Sequence, residues 1–170
     1  DFGDLVFANA GKGTTAAGNT TRGINAGGSF TESSFSNSSN TMGYWTPTSA
    51  GNASDFGDLS VGRRHPSAVA SETRMLISGG NASSGRTDVI DYVTIGTLGN
   101  ATDFGNLSAG KENTASTGDA TRAVIIGGQN VAGNAQFDDI EYVTIANTGN
   151  VTDFGNLTVA LKSLSASSGS

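Results

Sequence analysis

The residues that could do chemistry are few, and their spacing argues against most of it. Asp-Phe-Gly, the magnesium-holding tripeptide of protein kinases, stands at Asp1, Asp55, Asp103 and Asp153. Four copies without a catalytic-loop sequence or a lysine-bearing strand beside them read as a turn. Gly11-Lys12-Gly13-Thr14-Thr15 hints at a phosphate loop, but Val6 stands where the leading glycine belongs and no strand-then-helix context surrounds it. A surface loop is the reading. His65 is the only histidine, so a hydrolytic triad or zinc site would have to use it, and no motif surrounds it. Asp138-Asp139-Glu141, and Asp88 with Asp91, could offer oxygen ligands to calcium. Neither follows a calcium-loop pattern, and both read as solvated acids at the entry of a strand. The chain has no cysteine, which excludes a disulfide framework and thiolate metal sites. The expectation is a protein that is not an enzyme, with no catalytic residue, no metal and no cofactor. Ligand-binding residues are not identifiable at this level.

Tyr44 and Trp45 are adjacent large aromatics of the kind that stack on sugars, but their alignment with Tyr92 and Val93 makes packing the better reading. Asn-x-Ser/Thr sequons occur at Asn19, Asn37, Asn52, Asn81, Asn100, Asn106, Asn150 and Asn156. Half of them (Asn52, Asn100, Asn106 and Asn150) fall in repeated turns, where asparagine is wanted for its backbone tolerance. Net charge is −6 and the nine Lys and Arg are scattered, so nucleic acid is not a partner. No apolar run approaches the ~20 residues of a membrane helix, so no membrane insertion is expected.

The elements that must hold these residues follow from self-similarity. Asp-Phe-Gly-(Asp/Asn)-Leu recurs at offsets of 54, 48 and 50 residues. Thr-Arg-x4-Gly-Gly begins at Thr21, Thr73 and Thr121. Ile90-Asp91-Tyr92-Val93-Thr94-Ile95 returns as Ile140-Glu141-Tyr142-Val143-Thr144-Ile145, with a worn copy at Met42–Pro47. Gly-Asn-x-(Ser/Thr) precedes each later Asp-Phe-Gly. The units are 1–54 (divergent), 55–102, 103–152 and 153–170, the last the start of a truncated fourth; the whole reads as one repeat domain excerpted from a longer chain. Glycine, serine, threonine and asparagine make up nearly half the residues. The apolar residues nonetheless cluster in β-branched and aromatic runs, which argues for short strands and many turns over disorder.

Each motif has a role in such a repeat. Met75-Leu76-Ile77 and Ala123–Ile126 are continuous apolar runs suited to inner strands covered on both faces. The pairs Gly79-Gly80 and Gly127-Gly128 supply a sharp exit, with positive φ or no room for a Cβ expected at Gly79 and Gly127. Tyr92 and Tyr142 mark a second strand. Arg22, Arg74 and Arg122 hold one register in a chain with few cations, which implies a repeated carboxylate partner. The acids of Asp-Phe-Gly (Asp55, Asp103, Asp153) are expected in that role ahead of the strand acids Asp91 and Glu141.

The order of apolar strand, Gly-Gly, tyrosine strand, turn and aromatic resembles the kelch repeat, one four-stranded propeller blade of about 50 residues. Unit two carries it in Arg64–Val69, Met75–Gly80 and Val89–Tyr92, with Phe104 where kelch has a closer tryptophan. The wording Ile-Asp-Tyr-Val-Thr-Ile…Gly-Asn-Ala-Thr-Asp-Phe-Gly is more similar still to kelch-like repeats of marine phage fibre and other virion proteins. The resemblance covers 55–162 well and 1–54 loosely. It implies an all-β fold of kelch-like β-propeller blades with about four short antiparallel strands each, the alternative being a β-solenoid or fibre β-prism. It implies a structural or adhesive role on a virion or cell surface. The expected partners are further repeats of the same chain or other virion subunits, with a host surface glycan or protein as candidate contact. A bacterial or archaeal surface adhesin, or the non-catalytic part of a propeller enzyme, are the alternatives.

Overall fold

Short β-branched and aromatic runs punctuated by glycine fold here as four-stranded antiparallel meanders. The computed structural model describes residues 2–6, 12–29, 38–130 and 135–167; Asp1, Gly11 and the sequon residue Asn37 lie outside them. Each four-stranded sheet takes as its fourth strand the Asp-Phe-Gly segment that opens the next sequence unit, and units are named by their sheets from here on. Unit one pairs β1 (Thr15–Gly18), β2 (Gly23–Ala26), β3 (Thr41–Trp45) and β4 (Ser54–Asp58) in that order. A small three-stranded sheet joins β5 (Arg63–Arg64) to β8 (Asn81–Ala82) and β9 (Gly85–Arg86). Unit two orders β6 (Ser67–Ala70), β7 (Arg74–Ser78), β10 (Val89–Thr94) and β11 (Thr102–Asn106). Unit three repeats it with β12 (Ala115–Gly118), β13 (Arg122–Ile126), β14 (Asp139–Thr144) and β15 (Thr152–Asn156). Among the described residues there is no helix.

The first hairpin of each unit owes its tightness to one polar side chain. Asn19 Oδ1 accepts from the backbone N–H of Thr21 and Arg22 at 2.9 Å each. Ser71 Oγ and Asp119 Oδ1 do the same for the following Thr-Arg. These backbone contacts and the Thr121 hydroxyl hold the Asp119 carboxyl down at about 2. The Thr-Arg motif is thus the far side of a side-chain-closed turn.

Asp-Phe-Gly departs from its expected role. It is a strand, not a turn, forming most of β4, β11 and β15. Opposite it the register jumps: Ile90 faces Gly105 while Asp91 faces Asp103, leaving Phe104 as the extra residue of a bulge. The glycine sits at φ 140° to 150° in units one to three, a region that side chains rarely enter. The bulge sets the phenylalanine against the tyrosine strand, so that Tyr44, Tyr92 and Tyr142 meet Phe56, Phe104 and Phe154 edge to face at 5.9–6.2 Å; Phe56 and Phe104 are buried there and Phe154 is exposed.

Two cores result, one between each pair of neighbouring units. Ile24, Met42 and Phe56 of unit one pack against Met75, Ile77, Val93 and Ile95 of unit two. Leu76, Ile90 and Phe104 of unit two pack against Ala123, Ile125, Val143 and Ile145 of unit three. Alternate residues of β7 therefore serve opposite neighbours, which is why its sequence is apolar without alternation. The first strands β1, β6 and β12 lie side by side.

Candidate functional site

The repeated residues converge on the joints between units. At the outer joint, the strand bearing Asp-Phe-Gly meets the Gly-Asn turn of the next unit. Gly99 N–H donates to Phe56 O at 2.9 Å and Gly149 N–H to Phe104 O at 2.7 Å, while Asn100 and Asn150 accept from the amides of Asp58 and Asn106 at 3.0 Å each. Gly51 and Asn52 hold Phe2 and Asp4 the same way. A Cβ on Gly57 or Gly105 would lie 2.4 or 2.2 Å from the Gly99 or Gly149 carbonyl oxygen, so only glycine permits the approach. The asparagines of three repeated sequons (Asn52, Asn100 and Asn150) are thus fixed by their side-chain oxygens, whereas Asn106, expected in a turn, ends strand β11.

The arginines make a different contact from the expected one. The guanidinium of Arg22, Arg74 and Arg122 lies over Tyr44, Tyr92 and Tyr142, with its carbon 4.6–4.7 Å from the ring centroid. Arg22 donates to Ile95 O at 2.6 Å and Arg74 to Ile145 O at 2.9 Å, each in the next unit. None of the three belongs to an ion pair among the described residues, and Asp55, Asp103 and Asp153 are exposed. The expected Arg–Asp clamp fails because Asp-Phe-Gly runs as a strand and turns its aspartate to solvent.

The strand acids Asp91 and Glu141, expected to be solvated, are buried and hold cations, but not those arginines. Asp91, fully buried, receives Arg63 Nη2 at 2.8 Å together with the amide and hydroxyl of Ser60. Glu141 receives Lys111 Nζ at 2.9 Å and the amide of Ser108; Asp139 also pairs with Lys111. Burial pulls Arg63 below its ordinary pKa, and Asp91 opposes that by charge and hydrogen bond. Sequence reasoning missed Arg63 and Lys111. The available signal was one cation directly after Gly62 and Gly110, at one register of two units. Unit one has Gly43 where the acid would stand, with Val6 against it.

Gly79 and Gly127 have φ of 61° and 59°, and an added Cβ would lie 2.6 Å from the carbonyl oxygen of Lys111 or Leu161. Gly80 and Gly128 follow at φ 106° and 102° and donate to those same carbonyls. A second ladder runs through residues with no side-chain likeness: His65 N–H donates to Gly13 O, Asn113 N–H to His65 O and Ser163 N–H to Asn113 O. All four are left-handed, with φ between 54° and 71°.

The described parts of the loops after Gly-Gly meet one another: the Ser38 hydroxyl donates to the Asn81 carbonyl at 3.0 Å, and Arg86 and Gln129 share Glu112. Arg64, Asn81, Ala82, Ser83, Gly85 and Arg86 line an open cleft of about 390 Å³. Arg86 Nη2 donates to Glu112 Oε1 at 2.6 Å, and Gln129 Nε2 donates to the same oxygen at 3.0 Å. Burial alone would raise the Glu112 pKa; the hydrogen bonds from Gln129, Arg86 and Asn81 and the Arg86 charge outweigh it and hold the group below its ordinary range. Burial lowers His65, with Glu112 opposing and Arg64 and Arg86 assisting. Among the described residues no group of three or more acids, histidines or cysteines is arranged for a metal. No protein-family model matches the chain, and no curated protein matches it.

Proposed function

We propose that this chain is a run of kelch-like β-propeller blades serving a structural and adhesive role on a virion surface, as part of a fibre or decoration protein. The observation that carries the reading is the joint. Four of the repeated motifs attach one unit to the next: the Phe-Gly strand, the Gly-Asn turn, the arginine that reaches the next unit's isoleucine carbonyl, and the Gly-Gly exit. Side-by-side first strands with each fourth strand at the far edge of its sheet fit blades set around an axis. The adhesive part rests on the loops after Gly-Gly. They differ in length and wording between units, their described parts meet one another, and that of unit two lines the polar cleft beside Arg86. Variable loops on a repeated rigid scaffold are where binding residues concentrate. A host surface glycan or protein is the contact such a cleft would serve.

Mass spectrometry of purified virions for this polypeptide tests the location; recovery only from host cell envelopes would transfer the role to a cellular adhesin. Solution scattering tests the architecture. A ring of about 4–8 blades gives a flat disc once further units are supplied, whereas a rod lengthening by a constant step per added unit would make the array a solenoid.

A further inference from the structure

The trailing face of unit three repeats the face by which unit two receives unit three. Val124, Ile140, Tyr142 and Phe154 stand at the registers of Leu76, Ile90, Tyr92 and Phe104. In unit two the face is closed, with Phe104 2% exposed; in unit three Phe154 is 57% exposed, and Val159 and Leu161, further along the same segment, are exposed too. The polar fittings are open as well. Arg122 lies over Tyr142 as Arg74 lies over Tyr92, yet its guanidinium reaches no carbonyl among the described residues. A Cβ at Gly155 would meet nothing within 4 Å, while Gly105 faces the Gly149 carbonyl.

We propose that this face is a docking surface for one further unit of the same repeat. The incoming unit presents a Gly-Asn-x-(Ser/Thr) turn to Phe154-Gly155, an isoleucine carbonyl to Arg122, and an apolar leading face like that of unit three. The two joints already closed, with matching hydrogen bonds in each, define that chemistry. A second copy of this chain is the poorer occupant. Its unit one carries Gly23, Asn25 and Trp45 where units two and three carry Met75 and Ala123, Ile77 and Ile125, and Val93 and Val143. Its Gly51–Ala53 turn is also held already by Phe2 and Asp4. The inference holds whether the array closes as a ring or continues as a rod, and wherever the protein is displayed.

Residues 103–107 and 153–157 are identical, so joining residues 1–157 directly to 108–170 adds one unit without altering the wording of any joint. Thermal unfolding is compared for the native and extended chains, each with and without Phe154→Ala, alongside sedimentation of the native chain and its Phe154→Asp variant. Docking predicts that Phe154→Ala barely moves the melting temperature of the native chain. In the extended chain it lowers it by as much as Phe104→Ala does. An equally small effect in both chains would overturn the proposal. So would self-association of the native chain that Phe154→Asp abolishes, which would assign the face to a second copy.

Discussion

Units two and three are built from nearly the same words, yet one is closed on both faces and the other on one. In β7 every residue from Met75 to Ser78 is buried, while in β13 burial alternates. The local sequence differs little between them: Met75-Leu76-Ile77 against Ala123-Val124-Ile125. The difference lies in what stands beside the sheet. Burial in a repeat array belongs to the joint, so identical residues carry different weight according to whether the next unit is in place.

Phenylalanine gives the sharpest contrast. Phe104→Ala should cost about 3–5 kcal/mol, since a buried aromatic is deleted from a packed joint. Phe154→Ala should cost less than about 1 kcal/mol, because much of the ring is already in water. Chemical denaturation of the two variants measures this, and equal losses would break the comparison.

Next comes the buried ion pair. Arg63→Met leaves the Asp91 carboxylate stranded and should cost about 3–5 kcal/mol, most of which returns when Asp91→Leu is added. A double variant no more stable than the single one would mean that the pair is replaceable only by itself.

Glycine comes third. Gly105→Ala meets the Gly149 carbonyl and should lose roughly 3 kcal/mol or more, whereas Gly155→Ala suffers only backbone strain of about 1–2 kcal/mol. The same denaturation series decides it; matching losses would mean that strain, and not the joint, sets the requirement.

The smallest effect is acidic. Burial lowers the His65 pKa, so the unfolded chain takes up a proton more readily than the folded one. Stability should therefore fall as pH drops below 6.5. Asn113 occupies the same left-handed register, so His65→Asn should keep the fold and flatten that part of the profile. An unchanged slope in the variant would clear His65 of any role in it.

How much of this was legible follows from which groups act through side-chain identity. Gly79, Gly127, the apolar run of β7 and the Gly-Asn turns were readable, because steric demands restrict the residue type at those places. The three arginines were correctly singled out as repeated, but their partners are a ring and a backbone carbonyl, and carbonyls leave no trace in residue type. Arg63 and Lys111 were hidden by being one arginine and one lysine in a short, irregular segment. The ladder through Gly13, His65, Asn113 and Ser163 was illegible, since only the backbone takes part and four different residues serve it. Asp-Phe-Gly was misread as a turn because glycine marks a turn and a bulge alike.

The central claim is that each unit is fastened to the next through the Asp-Phe-Gly strand and the Gly-Asn turn. Residue-resolved amide hydrogen exchange tests it within one sample. Asp58 and Asn106 donate to Asn100 and Asn150 across closed joints, while Asn156 occupies the same register at the open face. The account predicts slow exchange at Asp58, Asn106, Gly99 and Gly149 and fast exchange at Asn156. Indistinguishable rates at Asn106 and Asn156 would contradict it.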